Sequence, residues 1–321
     1  KNEFNKRPAV RTVFTLLRAL DNLEDSTLGK NEKCRLIDRL TGNVVGEVVR
    51  RDLQNGIDDI VHGDDFKTIS QKLESGARTE KERVFATQFG KGAVLRDLFG
   101  FDKPVQREID YAVKSVGLGV NDFLQRGEIQ TPEQLRHYCY HVAGRIGVFL
   151  NTLVTIKDKD PSGKEISLSD ADSSTLGEFL QLINVAQDLR EDWEEGRVYL
   201  PASFRPTEVS HEYLMDGDGV QVDKAREDAL DSLLAMAQTR ISGAVNYVSS
   251  IPVNLKGDKA FSLTLFVSGI ENLKRLQSSG AEKVFAGDKA AIRLPALTFR
   301  NIADFSRLAV RRGDLANAWV G

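Results

Sequence analysis

Apolar residues recur every three to four positions along nearly the whole chain, and only eight prolines punctuate its 321 residues. That period belongs to the α-helix. Alternating runs between tight turns are hard to find: neither Asn55-Gly56 nor Asp216-Gly217-Asp218-Gly219 is flanked by a period-two pattern. The pattern predicts an all-α fold with helices near 8–24, 31–53, 66–76, 79–98, 104–126, 132–157, 175–193, 221–250, 258–279 and 299–317. Polar segments at Lys157–Asp172, Pro201–Gly219 and Ser279–Pro295 read as loops. Thr131-Pro132-Glu133-Gln134 and Thr175-Leu176-Gly177-Glu178 read as capping boxes opening two of the helices. No repeat or linker divides the chain, so a single all-helical domain over 1–321 is expected.

Composition narrows the classes. With 41% hydrophobic and 28% charged residues the chain can bury a sizeable core. Its net charge is −3 and its basic residues are scattered, which disfavours nucleic acid as a partner. Two cysteines, Cys34 and Cys139, supply neither a disulfide framework nor a zinc pattern, and a cytoplasmic setting is expected. No apolar run of bilayer-spanning length and no signal peptide are legible.

The chemistry is concentrated on three helices. In the 175–193 helix, Gln181, Asn184, Asp188 and Asp192 share one face, and Phe179, Leu182, Ile183 and Ala186 cover the rest. Asp188 and Asp192 stand one turn apart, a spacing at which two carboxylates reach one hard cation. Amides between apolar flanks are expected to be buried and bonded to something specific. On the first helix Phe14, Arg18, Asp21 and Asp25 share a face, either solvated with an Arg–Asp pair or turned to a ligand. Two such acidic faces, opposed across a bundle, would collect divalent metal and, through it, phosphate. Carboxylates without His or Cys favour Mg²⁺, with Mn²⁺ possible, and Arg18 and Arg197 would clamp a diphosphate. Such a site ionises a diphosphate leaving group by neutralising its growing charge.

The third helix carries Tyr138-Cys139-Tyr140-His141-Val142-Ala143-Gly144-Arg145-Ile146-Gly147. Tyr140 heads a stripe of Ala143, Gly144 and Gly147. Helix-interior glycine costs roughly 1 kcal/mol against alanine, so the pair needs a reason. Close helix packing is one; a smooth wall for an apolar ligand, with a phenol at its end, is the other. Val116-Gly117-Leu118-Gly119-Val120 shows similar thinning. His141 points about 100° from Tyr140 and is read as structural by default.

These motifs resemble the squalene/phytoene synthase family of head-to-head prenyltransferases, in a spelling closest to squalene synthase. Leu17–Asp25 is similar to that family's first aspartate-rich motif, Tyr138–Gly147 to its Tyr-Cys…Val-Ala-Gly signature, and Phe179–Pro201 to its second acidic motif. The resemblance implies the isoprenoid synthase fold, a single-domain helical bundle around a central cavity. Asp21, Glu24, Asp25, Asp188 and Asp192 would hold Mg²⁺ and two diphosphates, with Phe14, Arg18, His141, Gln181, Asn184 and Arg197 lining the substrate site. Two farnesyl diphosphates would condense to presqualene diphosphate, with Tyr140 as base or cation stabiliser. NADPH would then give squalene, and related enzymes without reduction make dehydrosqualene or phytoene. Val284-Phe285-Ala286-Gly287 followed by Ala291-Ile292-Arg293 resembles the loop linked to NADPH, with Lys289 and Arg293 as its cations.

The chain departs from the pattern at several positions. Phe14 stands where the family commonly has Tyr, and Gln187 where Arg is frequent. Ala290 or Ala291 replaces a usual lysine, and the working tyrosine falls at Tyr140 in carotenoid-type members but at the His141 position in eukaryotic squalene synthases. The family's serine-containing phosphate segment would lie upstream of residue 1. A monomer with peripheral membrane contact is expected. A non-catalytic helical interaction module is the rival of another class, and the retained acidic positions argue against it.

Overall fold

A computed structural model describes residues 6–51 and 57–312. The Asn55-Gly56 turn and the far ends of the 31–53 and 299–317 helices lie outside the described residues. Among the described residues there is no strand ladder; two isolated bridges, Glu128 with Val198 and Lys159 with Glu165, are the extended pairings. The all-α expectation holds. Contacts divide the described residues into two compact units, one within 1–126 together with 152–157 and the other within 127–151 together with 158–321.

In the first unit, α1 (Arg7–Asp25) buries Val13, Leu16, Leu20 and Leu23 and packs on α8 (Lys103–Arg126). Between them lie α2 (Lys30–Asp38), a π-helical turn (Arg39–Val45), α3 (Gly46–Arg50), α4 (Asp58–Val61), α5 (Asp64–Ser75), α6 (Glu80–Phe89) and α7 (Ala93–Phe99). The predicted 79–98 helix is therefore two. Gly92 breaks it at φ +69°, and a Cβ there would stand 2.5 Å from Val61 Cγ1, so both conformation and space demand glycine. Thr79 opens α6 with a capping box that the sequence reading passed over. A Cβ on Gly117 would lie 2.7 Å from Thr41 Cγ2, so the thinning on α8 serves helix packing and not a channel.

The second unit is built on α11 (Asp170–Glu194), the longest element after α15. It packs against α13 (Val220–Gln238), α14 (Ile241–Ser250), α15 (Lys256–Phe285) and the π-helical turn Tyr140–Gly144. That turn joins α9 (Pro132–Cys139) to α10 (Arg145–Lys157), of which residues 152–157 count with the first unit, and α12 (His211–Asp216), α16 (Lys289–Ile292) and α17 (Ala296–Arg312) complete the set. Phe179, Leu182, Ile183 and Ala186 are all buried, as the face assignment requires.

Three expectations are corrected. The helix carrying the second acidic motif opens at Asp170, not Thr175: Ser169 Oγ accepts from Asp172 N at 3.1 Å, while Thr175 Oγ1 donates to the Asp172 carbonyl inside the helix. Thr131 does cap α9, accepting from Gln134 N, but the Gln134 side chain accepts from Gln130 N instead. Finally, Pro132–Ile156 is long and apolar enough, by length and composition, to cross a membrane, with 44% of its best window buried inside the protein. Arg145 sits fully buried in its middle and the Tyr140–Gly144 turn packs on α11, the environment of a core helix.

The Tyr140–Gly144 turn also settles the glycine stripe. A Cβ on Gly147 would fall 2.2 Å from the Ser173 carbonyl oxygen, and one on Gly177 2.2 Å from that of Ala143. Gly144 meets Glu178 and Ser174 at 3.2–3.3 Å. These glycines let two helix backbones touch; they are not a wall for an apolar ligand.

Candidate active site

The second acidic motif is assembled by two helix endings of the same kind. At the end of α11, Gly196 takes φ +77°. Its N–H bonds the Trp193 carbonyl at 2.9 Å, and the Arg197 N–H bonds that of Asp192 at 2.7 Å, the paired closures of a Schellman turn. The reversal carries the Arg197 guanidinium back onto the helix it has just left. There Nε and Nη2 lie 3.0 and 2.8 Å from Asp192 Oδ1, and Nη1 lies 2.6 Å from Glu195.

The end of α15 repeats the device. Gly287 has φ +69°, its N–H bonds Val284 O, and Asp288 N bonds Lys283 O at 3.0 Å. Asp288 then caps α16, accepting from Ala291 N. Lys289 Nζ reaches Glu191 Oε2 at 2.6 Å, and Arg293 pairs with Asp188 while approaching Glu191 at 3.4 Å. Lys289 and Arg293, read from sequence as cofactor-binding cations, thus stand on the acidic motif itself.

Gln187 fixes this arrangement from beneath. Its Nε2 donates to Asn272 Oδ1 at 3.0 Å and to the Ile292 carbonyl at 2.8 Å, and Asn272 Oδ1 accepts from Leu294 N. Gln187, the departure from the arginine frequent in the family pattern, is thus a buried strut for the Arg293 segment. The expected buried amides were Gln181 and Asn184; Gln181 is half-buried and Asn184 exposed, and Gln187 on the adjoining face is the buried one.

Electrostatics follow burial. Desolvation raises the Asp192 carboxyl to about 6 despite Arg197, and raises that of Asp188 against the pull of Arg293. Glu191, better exposed, is held below its ordinary range by the hydrogen bond from Lys289. Two half-buried carboxylates one turn apart, rimmed by three cations, can take up a divalent ion together with an anionic group that satisfies those cations. No cluster of three or more His, Cys, Asp or Glu forms a ready-made metal cage among the described residues. Oxygen donors with so few protein ligands match Mg²⁺, which keeps waters and leans on substrate phosphates.

Tyr140 opens the π-helical turn and is 36% exposed; its ring stands edge-on to that of His141, centroids 5.4 Å apart. Tyr138 is instead a core residue, its hydroxyl 3.2 Å from that of buried Tyr199. In the first unit, Phe14, Arg18 and Asp21 are exposed along one face of α1 and Asp25 is half-buried, whereas Glu24 is buried. Arg18 lies over the Phe85 ring at 5.4 Å. Glu191 was missed by sequence reasoning because it lies off the Asp188–Asp192 line and its cations, Lys289 and Arg293, stand 98 and 102 residues away along the chain.

Residues 5–296 match the family model described as Squalene/phytoene synthase. The chain belongs to that family. It is 28% identical over 256 residues to the squalene synthase of Schizosaccharomyces pombe, a match covering 76% of this chain and 49% of that one. It is also 28% identical over 247 residues to squalene synthase R6 of a Phoma species, covering 74% and 52%. The chain spans about half the length of the curated relatives it matches. Among solved structures, TcSQS in complex with the ligand E5700 superposes with a TM-score of 0.72 at 20% identity, covering 95% of this chain and 80% of that one. A dehydrosqualene synthase superposes at 0.50 with 15% identity, covering 95% and 99%. These likenesses carry the isoprenoid synthase fold for this family member.

Proposed function

We propose that this family member is a Mg²⁺-dependent head-to-head prenyltransferase that joins two farnesyl diphosphates through presqualene diphosphate to squalene, with NADPH as reductant. The observation that carries the reading is the second acidic motif: Asp188 and Asp192 half-buried on α11 and ringed by Arg197, Lys289 and Arg293. Mg²⁺ held by Asp188 and Asp192 would supply charge neutralisation to a departing diphosphate. Arg197, Lys289 and Arg293 donate charge-assisted hydrogen bonds, which a diphosphate can draw away from the carboxylates they now face. One farnesyl diphosphate loses its diphosphate as an allylic cation, the second molecule's double bond attacks it, and loss of a proton closes a cyclopropane. Tyr140, exposed at the head of its turn, is the residue assigned to that proton or to the cation. On α1, Asp21, Glu24 and Asp25 serve the other diphosphate. We assign the protein as a monomer in the cytoplasm with peripheral membrane contact, where a hydrocarbon product would leave.

A dehydrosqualene or phytoene synthase without NADPH is the second reading, favoured by Tyr140 as the exposed tyrosine of the Tyr138–Gly147 motif and by Lys289 and Arg293 being engaged with carboxylates. Incubation with farnesyl diphosphate and Mg²⁺, with and without NADPH, separates the two by product mass. Squalene only with NADPH supports the first reading; the same C30 product in both arms overturns it. Asp188→Asn, folded by circular dichroism, is expected to lose at least about 100-fold in presqualene diphosphate formation, and unchanged turnover would remove the site assignment.

A further inference from the structure

His137 and His141 face each other one helical turn apart, their Nε2 atoms 3.2 Å apart and ring centroids 4.4 Å apart at 61°. Residues i and i+4 on a regular α-helix are neighbours but lie about 40° out of line. Here α9 passes into its π-helical turn at Tyr140, between the two histidines. Such widened turns cluster at functional sites.

We propose that this pair is a two-imidazole site for a borderline divalent transition ion such as Zn²⁺ or Cu²⁺, separate from the carboxylate site for Mg²⁺. The distance is what a chelate needs. With metal–nitrogen bonds of about 2.05 Å, a separation of 3.2 Å corresponds to a nitrogen–metal–nitrogen angle of about 103°. That lies between the square-planar and tetrahedral values, which Cu²⁺ and Zn²⁺ respectively prefer. Imidazole selects these ions over Mg²⁺, so millimolar Mg²⁺ does not compete. His137 is exposed and His141 half-buried, so an ion has access from solvent. Once bound it stands beside Tyr140, whose ring is in edge contact with His141.

Alternative soft ligands are few. The chain has four histidines. His211 is buried with Nε2 on the Leu200 carbonyl, and His62 sits at the end of α4, far along the chain. Cys139 is buried, its thiol pushed well up by desolvation, and Cys34 is the more accessible thiol.

The test uses the full chain carrying Cys34→Ser, stripped of metal and held in millimolar Mg²⁺. Calorimetric titration with Zn²⁺ is expected to show one ion per chain. Electron paramagnetic resonance of the Cu²⁺ form is expected to show splitting from two nitrogens. His137→Gln and His141→Gln should each weaken Zn²⁺ at least about tenfold with circular dichroism unchanged, and His62→Gln should do nothing. Absence of Zn²⁺ uptake, a one-nitrogen Cu²⁺ spectrum, or affinity that survives both substitutions would overturn the proposal. None of these readouts requires prenyltransferase activity, so the two assignments stand or fall separately.

Discussion

Replacing Gly177 by alanine sets two effects of opposite sign against each other. Helix propensity alone makes Gly177→Ala stabilising by roughly 1 kcal/mol, because Gly177 lies inside α11 and alanine loses less backbone freedom. The tertiary structure says otherwise. The new Cβ would sit 2.2 Å from the Ala143 oxygen, 2.6 Å from its carbonyl carbon and 2.9 Å from Gly144 Cα. All three are backbone atoms, so no side chain can swing aside; α11 and the Tyr140–Gly144 turn must separate by roughly 1 Å. Overpacking of that kind costs about 1–3 kcal/mol or more, enough to outweigh the propensity gain. Gly177→Ala is therefore expected to be destabilised by about 1–2 kcal/mol in urea titration, with a lower Tm. Because α11 carries Asp188, farnesyl diphosphate turnover should fall as well. A variant more stable than the parent would refute the close approach and, with it, the packing explanation of the glycine stripe.

Two further expectations concern the acidic motif. Burial raises the Asp192 carboxyl to about 6, so the folded protein holds a proton that the unfolded chain has released above pH 4. The charged form therefore costs stability, a cost absent below about pH 4 and complete above about pH 6. Asp192→Asn should be more stable than the parent at pH 7 by about 1–3 kcal/mol, with the gain fading in urea titrations as pH falls towards 4. A gain that persists at pH 4 would contradict this. Gln187→Leu removes the donor to Asn272 and the Ile292 carbonyl and should cost about 1–3 kcal/mol. Limited trypsin digestion should then cut faster at Lys289 or Arg293, and an unchanged pattern would remove Gln187 from its supporting role.

The residue sequence by itself determined the helical class, the face that pairs Asp188 with Asp192, and the family, because these rest on short-range periodicity and on motif spelling. Local chemistry even encoded how the cations arrive: Gly196 and Gly287 are left-handed stops, and each is followed by the basic residues that fold back. What only the tertiary structure decided was which partner each group meets. Gly144 and Gly147 fit a smooth ligand wall or a helix contact equally well until α11 is placed against them. Gln187 reads only as a departure from a frequent arginine until the Ile292 carbonyl, 105 residues away, is brought to its amide. Thr175 reads as a cap until the helix is seen to start about a turn and a half earlier, at Asp170. Periodicity says which residues share a face but not what lies opposite, since that depends on long-range packing that no window of sequence contains.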